Sequence, residues 1–248
     1  MINKRGKFKK GQITIFIILA ILIISGIVVF FAFRARGPVE KEVVIPQQVL
    51  PIVDSVQSCV ETNLKEGVMI VALQGGYIIP PSNALEINSS YVAYWYDKGS
   101  KKVPTIEEIQ NQISDYIRLT LPTCYPNLDT QKFQINRGNI SVQTKIDKNA
   151  VSTFVSFPFT ARAGNTSYEL DKKYSAEYAV NLGDMYDVGN KIILKEIADQ
   201  NSIDMSYLSI FNYAIDISYS GNNIVIYSIE DNLKDGGAII LRFASKLK

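Results

Sequence analysis

The apolar positions of this chain fall into one unbroken run and several periodic ones. The unbroken run covers residues 13–33 and reads ITIFIILAILIISGIVVFFAF. It contains no charge, and Thr14 and Ser25 are its only hydroxyls. As a helix it rises about 31 Å, the thickness of a bilayer's hydrocarbon core. A helix apolar on all sides is a membrane span or a core helix, and its place near the start of the chain favours a span.

The periodic runs follow. Val56, Val60, Leu64, Val68 and Val71 recur every three or four residues, one face of a helix. Pro51 suits its first turn and Gly75-Gly76 its end, and the helix can begin as early as Gln47. A second helix is predicted from Thr105, whose capping box is completed by Glu108. Its stripe is Ile106, Ile109, Ile113, Ile117 and Leu121, and Pro122 stops it. A third is expected over 182–199, with Leu182, Met185, Gly189, Ile192, Ile193 and Ile197 on one side, and a helical turn after Asp204.

Between and after these helices the pattern turns to β. Residues 77–104 read as a strand-and-loop excursion holding Tyr77-Ile78-Ile79 and the aromatic run Tyr91-Val92-Ala93-Tyr94-Trp95-Tyr96. That run reads as a strand packed on the helices, or as a platform for a sugar or membrane surface. Runs at 133–135, 140–146, 151–161 and 168–180 are separated by turn signals and predict a four-stranded antiparallel meander. Three further strands are expected at 213–220, 224–229 and 238–244. The fold class is therefore α+β: a single N-terminal transmembrane helix, then an extracytoplasmic domain of about three helices and antiparallel sheet. The divisions are a basic tail at 1–12, the span at 13–33, a linker at 34–46, a disulfide-clipped helical part at 47–131, and a β-rich part with one helix at 132–248.

Charge orients the span. Lys4, Arg5, Lys7, Lys9 and Lys10 precede it with no acid among them. Behind it, Arg34, Arg36 and Lys41 are interleaved with Glu40 and Glu42. The positive-inside rule keeps the tail in the cytoplasm and places the rest outside. A cleaved secretory signal is the competing reading, but Ala32-Phe33-Arg34-Ala35 is a poor small-x-small site. With the tail removed, the overall net charge of +2 becomes −3. No basic stripe remains for nucleic acid. The expected partner is the lipid bilayer, with other surface proteins or self-association through the span.

The junction Lys9-Lys10-Gly11-Gln12 before the apolar run resembles the class III signal of archaeal prepilins and related surface-filament proteins. The resemblance covers about residues 9–33. It implies cleavage after Gly11, a mature chain starting at Gln12, and assembly through the apolar helix. Many pilins place a Glu five residues after the cut; this chain has Phe16 there. An uncleaved signal anchor is the alternative. The chain as a whole is similar to archaeal membrane-anchored surface proteins, a likeness that implies no activity.

Two cysteines, Cys59 and Cys124, lie on the expected outer side. An even count in an oxidising compartment points to one disulfide, worth about 4 kcal/mol for a loop of this length. Two unrelated buried thiols are the alternative. Asn88, Asn139 and Asn165 head glycosylation sequons on the same side.

The candidate catalysts are carboxylate pairs and Ser-Lys dyads, the latter too many to rank. The chain has no histidine, so Ser-His and Cys-His pairs and histidine metal sites are excluded. It carries no phosphate loop or dinucleotide fingerprint, and no cofactor is expected. Asp184 with Asp187, and Glu230, Asp231 and Asp235 in an expected hairpin loop, are the carboxylates a hydrolase or a Ca²⁺ site would use. Solvated charge is their simpler reading. The sequence thus leads to a non-enzymatic, anchored surface protein of structural, adhesion or binding type. A pilin-like subunit is the alternative, and an anchored carboxylate hydrolase the lesser one.

Overall fold

The computed structural model describes residues 23–24, 47–124, 134–199, 202–221, 223–233 and 237–247. The chain divides into the units Met1–Val44 and Ile45–Lys248. In the first, only Ile23 and Ile24 are described, both helical. The expected span, basic tail and linker otherwise lie outside the described residues. Among those that are described, no helix is long and apolar enough to cross a membrane.

The unit Ile45–Lys248 is α+β. Helix α1 (Leu50–Leu73) begins with Pro51 in its first turn. It ends where Gly75 (φ 71°) and Gly76 (φ 99°) take left-handed backbone, and the Gly76 N–H returns to the Val71 carbonyl. Helix α2 (Ile106–Thr120) carries the expected capping box. The Glu108 N–H donates to Thr105 Oγ1 at 3.1 Å, and the Thr105 N–H donates to Glu108 Oε2 at 2.6 Å. Helix α3 is Leu182–Ala198 and the turn after Asp204 is α4 (Met205–Leu208).

The aromatic run is split. Strands β1 (Leu85–Ile87) and β2 (Ser90–Val92) form a hairpin. Strand β3 (Tyr94–Asp97) turns through Lys98-Gly99 into β4 (Ser100–Lys101). The strand expected at Tyr77–Ile79 does not form. The N–H groups of Ile78 and Ile79 donate instead to Gln112 Oε1 on α2, which removes the donors a ladder would need.

Strands β5 (Gln134–Arg137), β6 (Ser141–Ile146), β7 (Val151–Ala163) and β8 (Thr166–Tyr178) form one antiparallel sheet. It differs from a simple four-stranded meander. Strands β5 and β6 both pair with the same edge of β7, and β8 pairs along the other edge. The break lies opposite Pro158. The Pro158 carbonyl accepts from the Gly138 N–H on that edge, and its missing N–H faces the same way, so the ladder skips there. Burial alternates along β7: Val151, Thr153, Val155, Phe157, Phe159 and Ala161 face the core, while Phe154 is exposed. Helices α1 and α2 lie against this sheet.

Strands β9 (Ala214–Tyr219), β10 (Ile224–Asn232) and β11 (Ala238–Lys246) are antiparallel, as expected. The order is β4-β3-β11-β10-β9, and β3 joins β11 in parallel. The sheet is therefore mixed rather than purely antiparallel. No hairpin links β3 to β11, so no turn dictates their relative direction. This pairing carries a strand of residues 47–131 into a sheet of residues 132–248, and a single apolar cluster runs through both parts.

Trp95, on β3, lies on that sheet's buried face. It is fully buried, stacks on Phe243 at 4.1 Å and meets Tyr186 edge-on at 5.7 Å. Phe243 in turn stacks on Tyr227 at 5.2 Å. The aromatic run thus packs as core at Trp95 and Tyr96, while Tyr91 is exposed.

Candidate functional site

The expected disulfide is present. Cys59 lies within α1 and Cys124 directly after the turn that closes α2, with Cα atoms 6.1 Å apart, inside the range a disulfide spans. The helices run antiparallel, and their closeness has a sequence cause. Gly67 on α1 has no side chain, and a Cβ there would sit 3.1 Å from the Tyr116 ring of α2. Tyr116 then donates its hydroxyl to Glu66 at 2.9 Å. The buried amide of Asn63 donates to Cys59 Sγ at 3.5 Å and Cys124 Sγ at 3.8 Å. Sequence reasoning missed Asn63. Its place four residues after Cys59, on the same helix face, was the available signal.

The three sequon asparagines are exposed. Asn88 (φ 49°) and Ser89 (φ 66°) form the β1–β2 turn, both with the positive φ of a type I′ turn. Asn139 sits in the break between β5 and β6. Asn165 follows Gly164 (φ 57°) at the β7–β8 turn. The junction residues Lys9, Lys10, Gly11 and Gln12 lie outside the described residues.

The carboxylates divide differently from the sequence expectation. Glu230 and Asp231 are not in a loop but in β10, opposite Ile240 and Ile239. The apolar alternation of Val225, Tyr227 and Ile229 carries the strand on past them. Asp235 lies outside the described residues. Asp184, in the first turn of α3, accepts from the Tyr213 hydroxyl at 2.7 Å. Asp231 accepts from the Asn181 amide at 2.8 Å. Burial, the Asp184 bond and the charges of Asp184 and Asp231 all push the Tyr213 phenol upward in pKa, so it stays a donor. The fold thus gathers Asp184 and Asp231 around one phenol, while Asp187 stands apart from these bonds. No group of three or more metal-binding side chains occurs among the described residues.

A second polar cluster was not foreseen. Glu196 on α3 is 2% exposed. Its Oε2 accepts from the Tyr227 hydroxyl at 2.7 Å and its Oε1 from the Ser245 hydroxyl. Burial pushes its carboxyl above the ordinary range, against the downward pull of the two donors. The signal was the stripe itself: Glu196 follows Ile192 and Ile193 at helical spacing.

No known family model matches this chain, and no curated protein or solved structure matches it.

The Asn63 amide is spent on the disulfide, the Tyr213 phenol on Asp184, and both Glu196 oxygens on hydroxyls. Among the described residues, the Tyr174 hydroxyl and Asn190 Oδ1 are buried without a hydrogen-bond partner.

Proposed function

We propose that this chain is a membrane-anchored cell-surface protein. Its apolar residues 13–33 span the bilayer, its basic tail lies in the cytoplasm, and its α+β unit stands outside with a structural or binding role and no catalysis of its own. The observation that carries this reading is the Cys59–Cys124 disulfide, a bond that persists in oxidising compartments and is rare in the cytosol. Three exposed sequon asparagines and the charge asymmetry around the apolar run support the same orientation.

The test is the redox state of the protein in its own membranes. Alkylation before and after reduction should leave both cysteines unmodified in the first step and modified in the second. Two thiols alkylated without reductant would overturn the reading.

The Lys9-Lys10-Gly11 junction favours a second form, in which cleavage after Gly11 yields a pilin-like subunit. The mass of the mature N-terminus decides between them. A chain starting at Gln12 supports the processed form, and one starting at Met1 the plain anchor.

A further inference from the structure

The outer face of the β5–β8 sheet carries a cavity of about 410 Å³, lined by Gln134, Ile135, Asn136, Thr160, Arg162 and Ser167. That volume falls within the about 300–1,000 Å³ of small-molecule pockets. Its lining follows from register. Gln134 pairs across to Arg162, and Arg162 to Ser167, forming one row over three strands. Asn136 pairs with Thr160 in the next row. Strands lie about 4.8 Å apart and same-face rows about 7 Å apart, so the five polar side chains form a frame of about 10 by 7 Å.

These side chains have no work inside the fold. Among the described residues, none of the five makes a side-chain hydrogen bond or ion pair. On the opposite, inner face Thr144 accepts from Ser114 and Thr153 donates to the Gln143 carbonyl, and on the outer face Lys145 pairs with Asp147. The cavity offers two carboxamides, two hydroxyls and a guanidinium. Glu169, next to Thr160 on β8, adds an acceptor at the margin. Mixed donors and acceptors at this spacing, in a lining more polar than apolar, match a polyhydroxylated ring rather than a lipid or a fatty chain. We propose that this groove binds a carbohydrate.

Two sources share that chemistry. One is a sugar presented by another molecule. The other is a glycan on Asn165, because Ser167 is both the hydroxyl residue of that sequon and part of the lining. The inference gives a ligand class to the binding role proposed above. Binding by the purified chain does not depend on topology, so failure here and failure of the membrane placement are separable.

The test uses the full chain in a phosphocholine detergent, which presents no sugar. Saturation-transfer NMR and calorimetry are run with methyl glucoside, methyl N-acetylglucosaminide and methyl glucuronide. The expected result is roughly millimolar binding of at least one probe, weakened at least tenfold in an Asn136→Ala/Arg162→Ala chain whose thermal unfolding is unchanged. If that chain unfolds, the exposed Gln134→Ala substitution serves in its place. Binding seen in Asn165→Gln but not in the natural chain supports the groove and assigns its occupant to the chain's own glycan. No binding in either chain, or undiminished binding in the folded groove variants, overturns the proposal.

Discussion

The indole Nε1 of Trp95 donates to the Gly75 carbonyl at 2.9 Å. This buried bond ties the end of α1 to β3, and through β3 to β11. Gly75 has reason to be glycine: its φ is 71°, and a Cβ would lie 3.1 Å from the Arg242 carbonyl. Trp95→Phe keeps a ring against Phe243 but leaves that carbonyl without its donor. The expected loss is about 1–3 kcal/mol, read as a lower urea midpoint with unchanged slope. Gly189→Ala attacks the other side of the same ring, since its Cβ would lie 2.6 Å from Trp95 and 2.9 Å from Phe243. It should cost about 1–3 kcal/mol by overpacking.

The Cys59–Cys124 bond closes a loop with a sequence separation of 65. Its removal in a Cys59→Ser/Cys124→Ser chain should lower stability by about 4 kcal/mol through the entropy returned to the unfolded chain. Chemical denaturation of the natural and substituted chains measures it. Equal midpoints would show that the α1–α2 packing at Gly67 and Tyr116 holds alone.

Glu196 gives a pH dependence with a defined sign. Its folded pKa is raised above the ordinary 4.5 by burial. The folded state therefore holds the proton more tightly than the unfolded one. Its contribution is greatest below the unfolded value and is lost as pH rises through the folded value. Relative to Glu196→Gln, the natural chain should gain stability as pH falls through that window and stay flat well above it. Urea midpoints of both chains between mildly acidic and neutral pH make the comparison. Glu196→Ala should cost about 1–3 kcal/mol for each hydroxyl left without an acceptor.

Much of the helical architecture was legible from sequence because it is local. The stripe from Val56 to Val71, the Thr105–Glu108 box and Gly75-Gly76 each encode their own element. The disulfide was legible because only two cysteines exist to pair. Strand partnership was not legible. Nothing near Tyr94–Asp97 states that β11, far along the chain, is its neighbour, and no turn fixes their parallel direction. The break at Gly138–Ile140 depends on which edge Pro158 turns toward, and that appears only once the sheet is paired. Residues 77–79 had strand composition, but Gln112 on a distant helix took their donors. The polar frame around Arg162 was invisible for the same reason: its members come from three strands and meet only through register.

Outward placement of the α+β unit is open to limited proteolysis of intact cells. An antibody to the unit Ile45–Lys248 follows the chain after protease is added outside, with a cytoplasmic protein as control. The unit should be cleaved or released while the control survives, and reductant added with the protease should speed its loss. A unit that stays intact until the membrane is broken open, and is digested readily thereafter, would contradict that placement.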